Sequence, residues 1–149
     1  MENLNTSNIE KICKELLNAF QGILSWEWDS RFETALAIFP VNGQDKILAI
    51  LKQYLNTSWD ISNINKAPKA VQTINKNLSG IQKKQILFTS APNQECLIFC
   101  AWWPWTNAET ISLRVAPFCS KMKQDELTPL FKEWFSSVTG KHTEPPLQI

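Results

Sequence analysis

The segment Cys96 to Trp105, CLIFCAWWPW, is apolar without a break. As a helix it is too short to cross a bilayer, which takes about 20 residues. Extended, it is one long strand. Successive side chains of a strand point to opposite faces. Cys96, Ile98, Cys100 and Trp102 therefore face one way, and Leu97, Phe99, Ala101 and Trp103 the other. A sheet with one wet face alternates apolar and polar residues. This strand does not, so both of its faces have to be covered. The chain must lay helices on both sides of a sheet or leave one side for a partner.

The flanking sequence supplies neighbours for that strand. Residues 85–91, 95–103 and 109–116 each read with a period of two, and the connections between them are short enough for antiparallel hairpins. Earlier, Trp26 and Trp28 alternate with Ser25 and Glu27, Asp29-Ser30 suits a turn, and residues 32–39 alternate again. That is a hairpin of 23–28 with 32–39. Phe39-Pro40, Ala91-Pro92, Trp103-Pro104 and Ala116-Pro117 each fall at an expected strand end, as suits a residue that cannot donate to a ladder.

Helical periodicity appears elsewhere. Ile9, Ile12, Cys13, Leu16, Leu17 and Phe20 form one stripe over residues 8–21, with Ser7 and Glu10 spaced as a capping box. Ile47, Leu48, Ile50, Leu51, Tyr54 and Leu55 mark a helix over 44–56, Val71, Ile74 and Leu78 a narrower one after Ala67-Pro68, and Leu127, Leu130, Phe131, Trp134, Phe135 and Val138 a last one over 125–138. Residues 59–66 read as loop. The order α-β-β-α-α-β-β-β-α contains no long β-α-β series, so the expected class is α+β: an antiparallel sheet of about five strands with three or four helices. The 149 residues fit a single domain over 1–149. A flexible tail is expected over 140–149, where Pro145-Pro146 lies.

Several function classes find no support. Met1-Glu2-Asn3 is not followed by the basic and apolar regions of a signal peptide, so a cytoplasmic location and no membrane association are expected. The four glycines are isolated, which leaves no phosphate-cradling loop. His142 is the only histidine and lies in the tail, away from any nucleophile or cysteine pair. No metal and no cofactor are expected. Cys96 and Cys100, on one strand, are about 13 Å apart at about 3.3 Å per residue, too far for a disulfide. Cys13, Cys96, Cys100 and Cys119 are read as free, buried thiols. Net charge runs −3 over residues 1–60, +5 over 61–85 and −1 over 86–149. The basic middle is read as a solvated face rather than a nucleic-acid surface.

The seven tryptophans are the strongest signal. Consecutive Trp102 and Trp103 cannot share a face, and Trp105 follows a proline at a loop, so at least one of Trp103 and Trp105 is expected at the surface. Exposed tryptophans concentrate at interfaces. Arg114 interrupts an apolar strand, either solvated, paired with Glu95 or Glu109, or anchoring an acidic ligand. The leading expectation is a non-catalytic protein-binding module, an adaptor, inhibitor or immunity-type protein, meeting a protein partner or a second copy through its aromatic strand end. The binding residues are Trp102, Trp103, Trp105, Arg114, Trp26 and Trp28. The alternative is a small-molecule site, with an apolar-ligand pocket between sheet and helix lined by Trp26, Trp28 or Trp102. A carboxylate enzyme using Glu27 and Glu33, with Asp29 nearby, is the weakest of the readings.

Overall fold

The computed structural model describes residues 6–143. The first helix, α1 (Ser7–Ala19), buries Ile9, Cys13, Leu16 and Leu17, which are one stripe of its surface. Its N-cap is Thr6, one residue earlier than the Ser7 spacing suggests. Glu10 turns away from a capping role and pairs with Lys14, one turn on, at 2.9 Å. Two short strands follow, β1 (Glu27–Asp29) and β2 (Thr34–Pro40), then α2 (Gln44–Tyr54), β3 (Thr57–Trp59) and α3 (Lys69–Asn77). The second half holds β4 (Ile86–Thr89), β5 (Cys96–Pro104), β6 (Thr110–Cys119) and α4 (Gln124–Thr139).

The class is α+β: the described residues form four α-helices and one antiparallel sheet, in the order β1-β2-β6-β5-β4-β3. The sheet has six strands rather than about five. The added one is β3, which lies where a helix end and the start of a loop were expected. It pairs with the outer edge of β4, Ser58 opposite Phe88. Three residues are too few to display a period, so the edge strand leaves no pattern to read.

Both faces of β5 are covered, as its composition requires. On one face α1 lies against β5 and β6, α4 packs against α1 and β6, and α2 packs on α1. This face collects Trp28, Phe39, Leu113, Val115, Ile98, Cys100 and Trp102. On the other face α3 packs against β6, and Ile74 of the helix and Leu78 just past its end line a cleft together with Phe99, Ala116 and Phe118. Helices on two sides therefore bury Leu97 and Ile98 alike, both at 0% exposure.

The cysteines depart from expectation. Cys96 is bonded to Cys119, directly opposite it on β6, with Cα atoms 4.0 Å apart. Cys13 and Cys100 are free and buried. The pairing escapes a reading that ends the last strand at Ala116, because β6 runs on through Pro117. The register explains how. Pro117 lies opposite Ile98, whose own N–H and C=O bond to Ser90 on the other side of β5. The Pro117 nitrogen thus points away from β5, toward β2, but β2 begins only at Thr34 and has no acceptor there to lose.

Helix α4 starts at Gln124, where the Glu126 carboxylate accepts the Lys123 N–H at 3.1 Å. Pro129 is inside the helix rather than in its first turn. Gly140 closes it with φ of 73°, a left-handed conformation glycine adopts without strain. Beyond it Lys141 Nζ donates to the Trp26 carbonyl at 2.6 Å and pairs with Glu27 at 2.7 Å. Residues 144–149 of the expected tail lie outside the described residues.

Candidate functional site

The six candidate residues separate by face. Trp26 is 1% exposed and donates its Nε1–H to the Leu17 carbonyl at 3.2 Å, edge-on to Phe20. Trp102 is 3% exposed, with its ring edge-on to Phe39 and Phe88. Trp28 is half-buried beneath α4, with ring centroids 5.4 Å from both Phe131 and Phe135. These three fill the gap between sheet and helices, a role that suits large aromatics. The Trp26 N–H is satisfied there, whereas the buried Trp28 Nε1–H has no hydrogen-bond partner among the described residues.

Trp103 and Arg114 are on the opposite face. Arg114 is one strand over and diagonal to Trp103, since Ala101 pairs with Arg114 and Ser112 with Trp103. The guanidinium lies 4.6 Å from the Trp103 ring centroid and 5.4 Å from that of Phe32. Phe32 and Trp103 meet edge to face at 5.5 Å. Arg114 Nε donates to Asp29 Oδ2 at 3.0 Å, and Nη1 to Ser112 Oγ at 3.2 Å. The Asp29 carboxylate also accepts from Thr34 Oγ1 at 3.3 Å and from the Arg31 N–H at 3.2 Å.

The pair is largely withdrawn from water, with side-chain exposures of 15% for Arg114 and 11% for Asp29. Arg114 therefore pairs with neither Glu95 nor Glu109; Glu95 holds Lys121 instead. Its charge is already met by Asp29, which weakens it as an anchor for an acidic ligand. What it does is hold the β1–β2 hairpin, Phe32 and Trp103 in one arrangement. A cation over aromatic faces contributes about 0.5–2 kcal/mol per contact.

Helix α3 does not reach the end of this face. Ile38, opposite Ser112 and in line with Trp103, is 52% exposed. Leu36 and Trp103 are half-buried. Trp105, just past β5, is 45% exposed, so the expectation that one of Trp103 and Trp105 reaches the surface holds through Trp105. Its loop is firm: the Trp105 N–H bonds the Thr110 carbonyl at 2.8 Å, and Asn107 Oδ1 accepts from the Glu109 and Thr110 N–H groups at 2.8 and 3.2 Å.

On the same face, a cleft of about 320 Å³ opens between α3 and the β1–β2 turn. Phe99, Ala116 and Phe118 are among its lining residues, with Ile74 and Leu78 from the helix and Arg31 and Glu33 from the turn. Trp26, Trp28 and Trp102 do not line it, so the pocket between sheet and helix is on the other side of the sheet from the tryptophans expected to form it.

The carboxylates are not assembled for acid–base work. Glu27 is opposite Leu36 and paired with Lys141, Glu33 is in the turn, and Asp29 is neutralised by Arg114. Among the described residues no group of three His, Cys, Asp or Glu side chains is placed to hold a metal ion. No helix among them is long and apolar enough to cross a membrane. Lys66, Lys69, Lys76, Lys83 and Lys84 are all exposed, and no aromatic residue accompanies them within 61–85. No family model, curated protein or solved structure matches the chain.

Proposed function

We propose that the chain is a non-catalytic protein-binding module whose contact surface is the uncovered end of the second sheet face. The observation that carries this reading is the row formed by Ile38, Ser112 and Trp103 across three strands, with Trp105 beside it. Ile38 and Trp105 are 52% and 45% exposed there. Large apolar side chains gathered at one site, on a rigid sheet, form the type of aromatic anchor that dominates binding energy. The Arg114–Asp29 pair beneath fixes Trp103 in advance, which lowers the ordering cost of association. Phosphate-type ligands and nucleic acid fit this surface poorly, because the Arg114 guanidinium beneath Trp103 is already paired with Asp29.

A partner protein is preferred over a second copy as occupant, and sedimentation of the purified chain separates the two. We place such a module in the cytoplasm. The Cys96–Cys119 bond is the feature that weighs against it, because such bonds persist mainly in oxidising compartments. The test is a tagged pull-down with the Ile38→Asp/Trp105→Ala variant as control. A stoichiometric partner retained by the parent and lost by an equally folded variant is expected. A partner retained equally by both would move the interface elsewhere.

A further inference from the structure

We infer that the cleft between α3 and the β1–β2 turn is a binding site for a small ammonium ligand with an apolar body. The site is separate from the surface around Ile38 and Trp105, and neither residue lines it. Its volume of about 320 Å³ is at the small end of ligand pockets. Ile74, Leu78, Phe99, Ala116 and Phe118 make its lining mostly apolar.

Two charged residues line this cleft, Arg31 and Glu33. Their states differ. The Arg31 side chain is exposed, and its guanidinium stacks 4.9 Å from the Phe32 ring centroid. Glu33 Oε2 is buried and accepts no hydrogen bond among the described residues. A buried carboxylate oxygen without a donor is unfavourable, and native proteins rarely leave one so. The Glu33 side chain is partly exposed where it lines the cleft, so a small turn of its carboxylate toward the cleft brings it to an ammonium group, which supplies the donor and the opposite charge together.

The backbone at this position is also unusual, in a conformation Glu33 shares with Ser79, Lys84 and Ala108. Glu33 adopts φ of 58°, a left-handed conformation uncommon for a residue with a side chain. Glycine or asparagine serves such a turn position without strain, yet a glutamate is held there. Strain of this kind concentrates where a side chain has to be aimed. The apolar lining then selects against strongly hydrated cations and for an amine carried on an aryl or alkyl group.

Calorimetric titration with three matched probes tests this: 2-phenylethylamine, 2-phenylethanol and 3-phenylpropionate. The proteins are the parent, Glu33→Gln and Asn77→Trp, the last placing a bulky ring at the cleft from an exposed position. Circular dichroism confirms that all three are folded. The amine is expected to bind the parent at least tenfold more tightly than the alcohol or the acid, to weaken at least tenfold in Glu33→Gln, and to be excluded by Asn77→Trp. Equal amine affinity in Glu33→Gln overturns the proposal. So does tighter binding of the acid, which would make Arg31 the anchor, or the absence of saturable amine binding to the folded parent.

Discussion

Trp103 carries the Arg114 guanidinium over its ring at 4.6 Å, while Asp29 holds the same guanidinium from the hairpin side at 3.0 Å. Three strands thus converge on one cation. Arg114→Met keeps the aliphatic stem but strands the Asp29 carboxylate, so a loss of about 2 kcal/mol is expected, between a surface pair and a fully buried one. Urea denaturation measures it. The Asp29→Asn/Arg114→Met double variant should lose less than the two single losses summed, and strict additivity would show that the pair is not coupled.

The core and surface tryptophans should separate sharply in stability. Trp102→Ala opens a large cavity and is expected to cost about 3–5 kcal/mol. Trp105→Ala should change stability by less than about 0.5 kcal/mol. A large loss for Trp105→Ala would mean its ring supports the fold rather than awaiting a partner.

The Cys96–Cys119 bond closes a segment of 23 positions. Constraint of the unfolded chain over such a loop is worth about 3 kcal/mol. The Cys96→Ala/Cys119→Ala variant should therefore unfold at lower urea with its fold intact, because the nine-pair ladder between β5 and β6 remains. Intact mass before and after reduction and alkylation verifies the bond in the parent.

Burial pushes the Cys13 thiol far above its ordinary value of 9.0; the nearby Glu10 adds to this and Lys14 opposes it. Burial alone does the same for Cys100. Iodoacetamide at pH 8 should leave both unmodified in the folded protein and alkylate both in urea, as peptide mass spectra would show. The sign for stability follows. Above pH 9 the unfolded chain ionises these thiols and the native state does not, so stability falls with rising pH. The slope approaches about 1.4 kcal/mol per pH unit per thiol. A flat profile there would mean the thiols are accessible.

Glu33→Gly relieves a left-handed backbone and removes a buried carboxylate oxygen without a donor. It is expected to hold or raise stability, by about 1 kcal/mol, while abolishing amine binding in the cleft. A marked loss of stability in thermal melts would assign Glu33 a structural role instead.

Much of the architecture is legible from the residues. The two-sided apolar strand β5 demands cover on both faces, and the stripes of α1, α2 and α4 announce their buried sides. The alternation of β2 puts Ala35, Ala37 and Phe39 on one face and Thr34, Leu36 and Ile38 on the other, as its register shows. What stays hidden is strand order. Asp29, Arg114 and Trp103 meet only because β2 inserts beside β6, and no local pattern records a neighbour so distant in sequence. Cys119 is hidden for a related reason: Pro117 reads as a strand end until the shorter neighbour on that side is known. Trp102 and Trp103 show the limit from the other direction. Alternation assigns them to opposite faces, but only the placement of the helices tells which face is the core.

The pairing of β2 with β6 joins segments separated by more than half of the chain, Ala35 with Val115. During synthesis the first hairpin leaves the ribosome long before its neighbour exists. Until β6 emerges, β2 has only the three-residue β1 beside it, and Trp28 lacks the α4 rings that cover it. The first hairpin is thus an unfinished surface until β6 and α4 have been made, and its assembly waits for them.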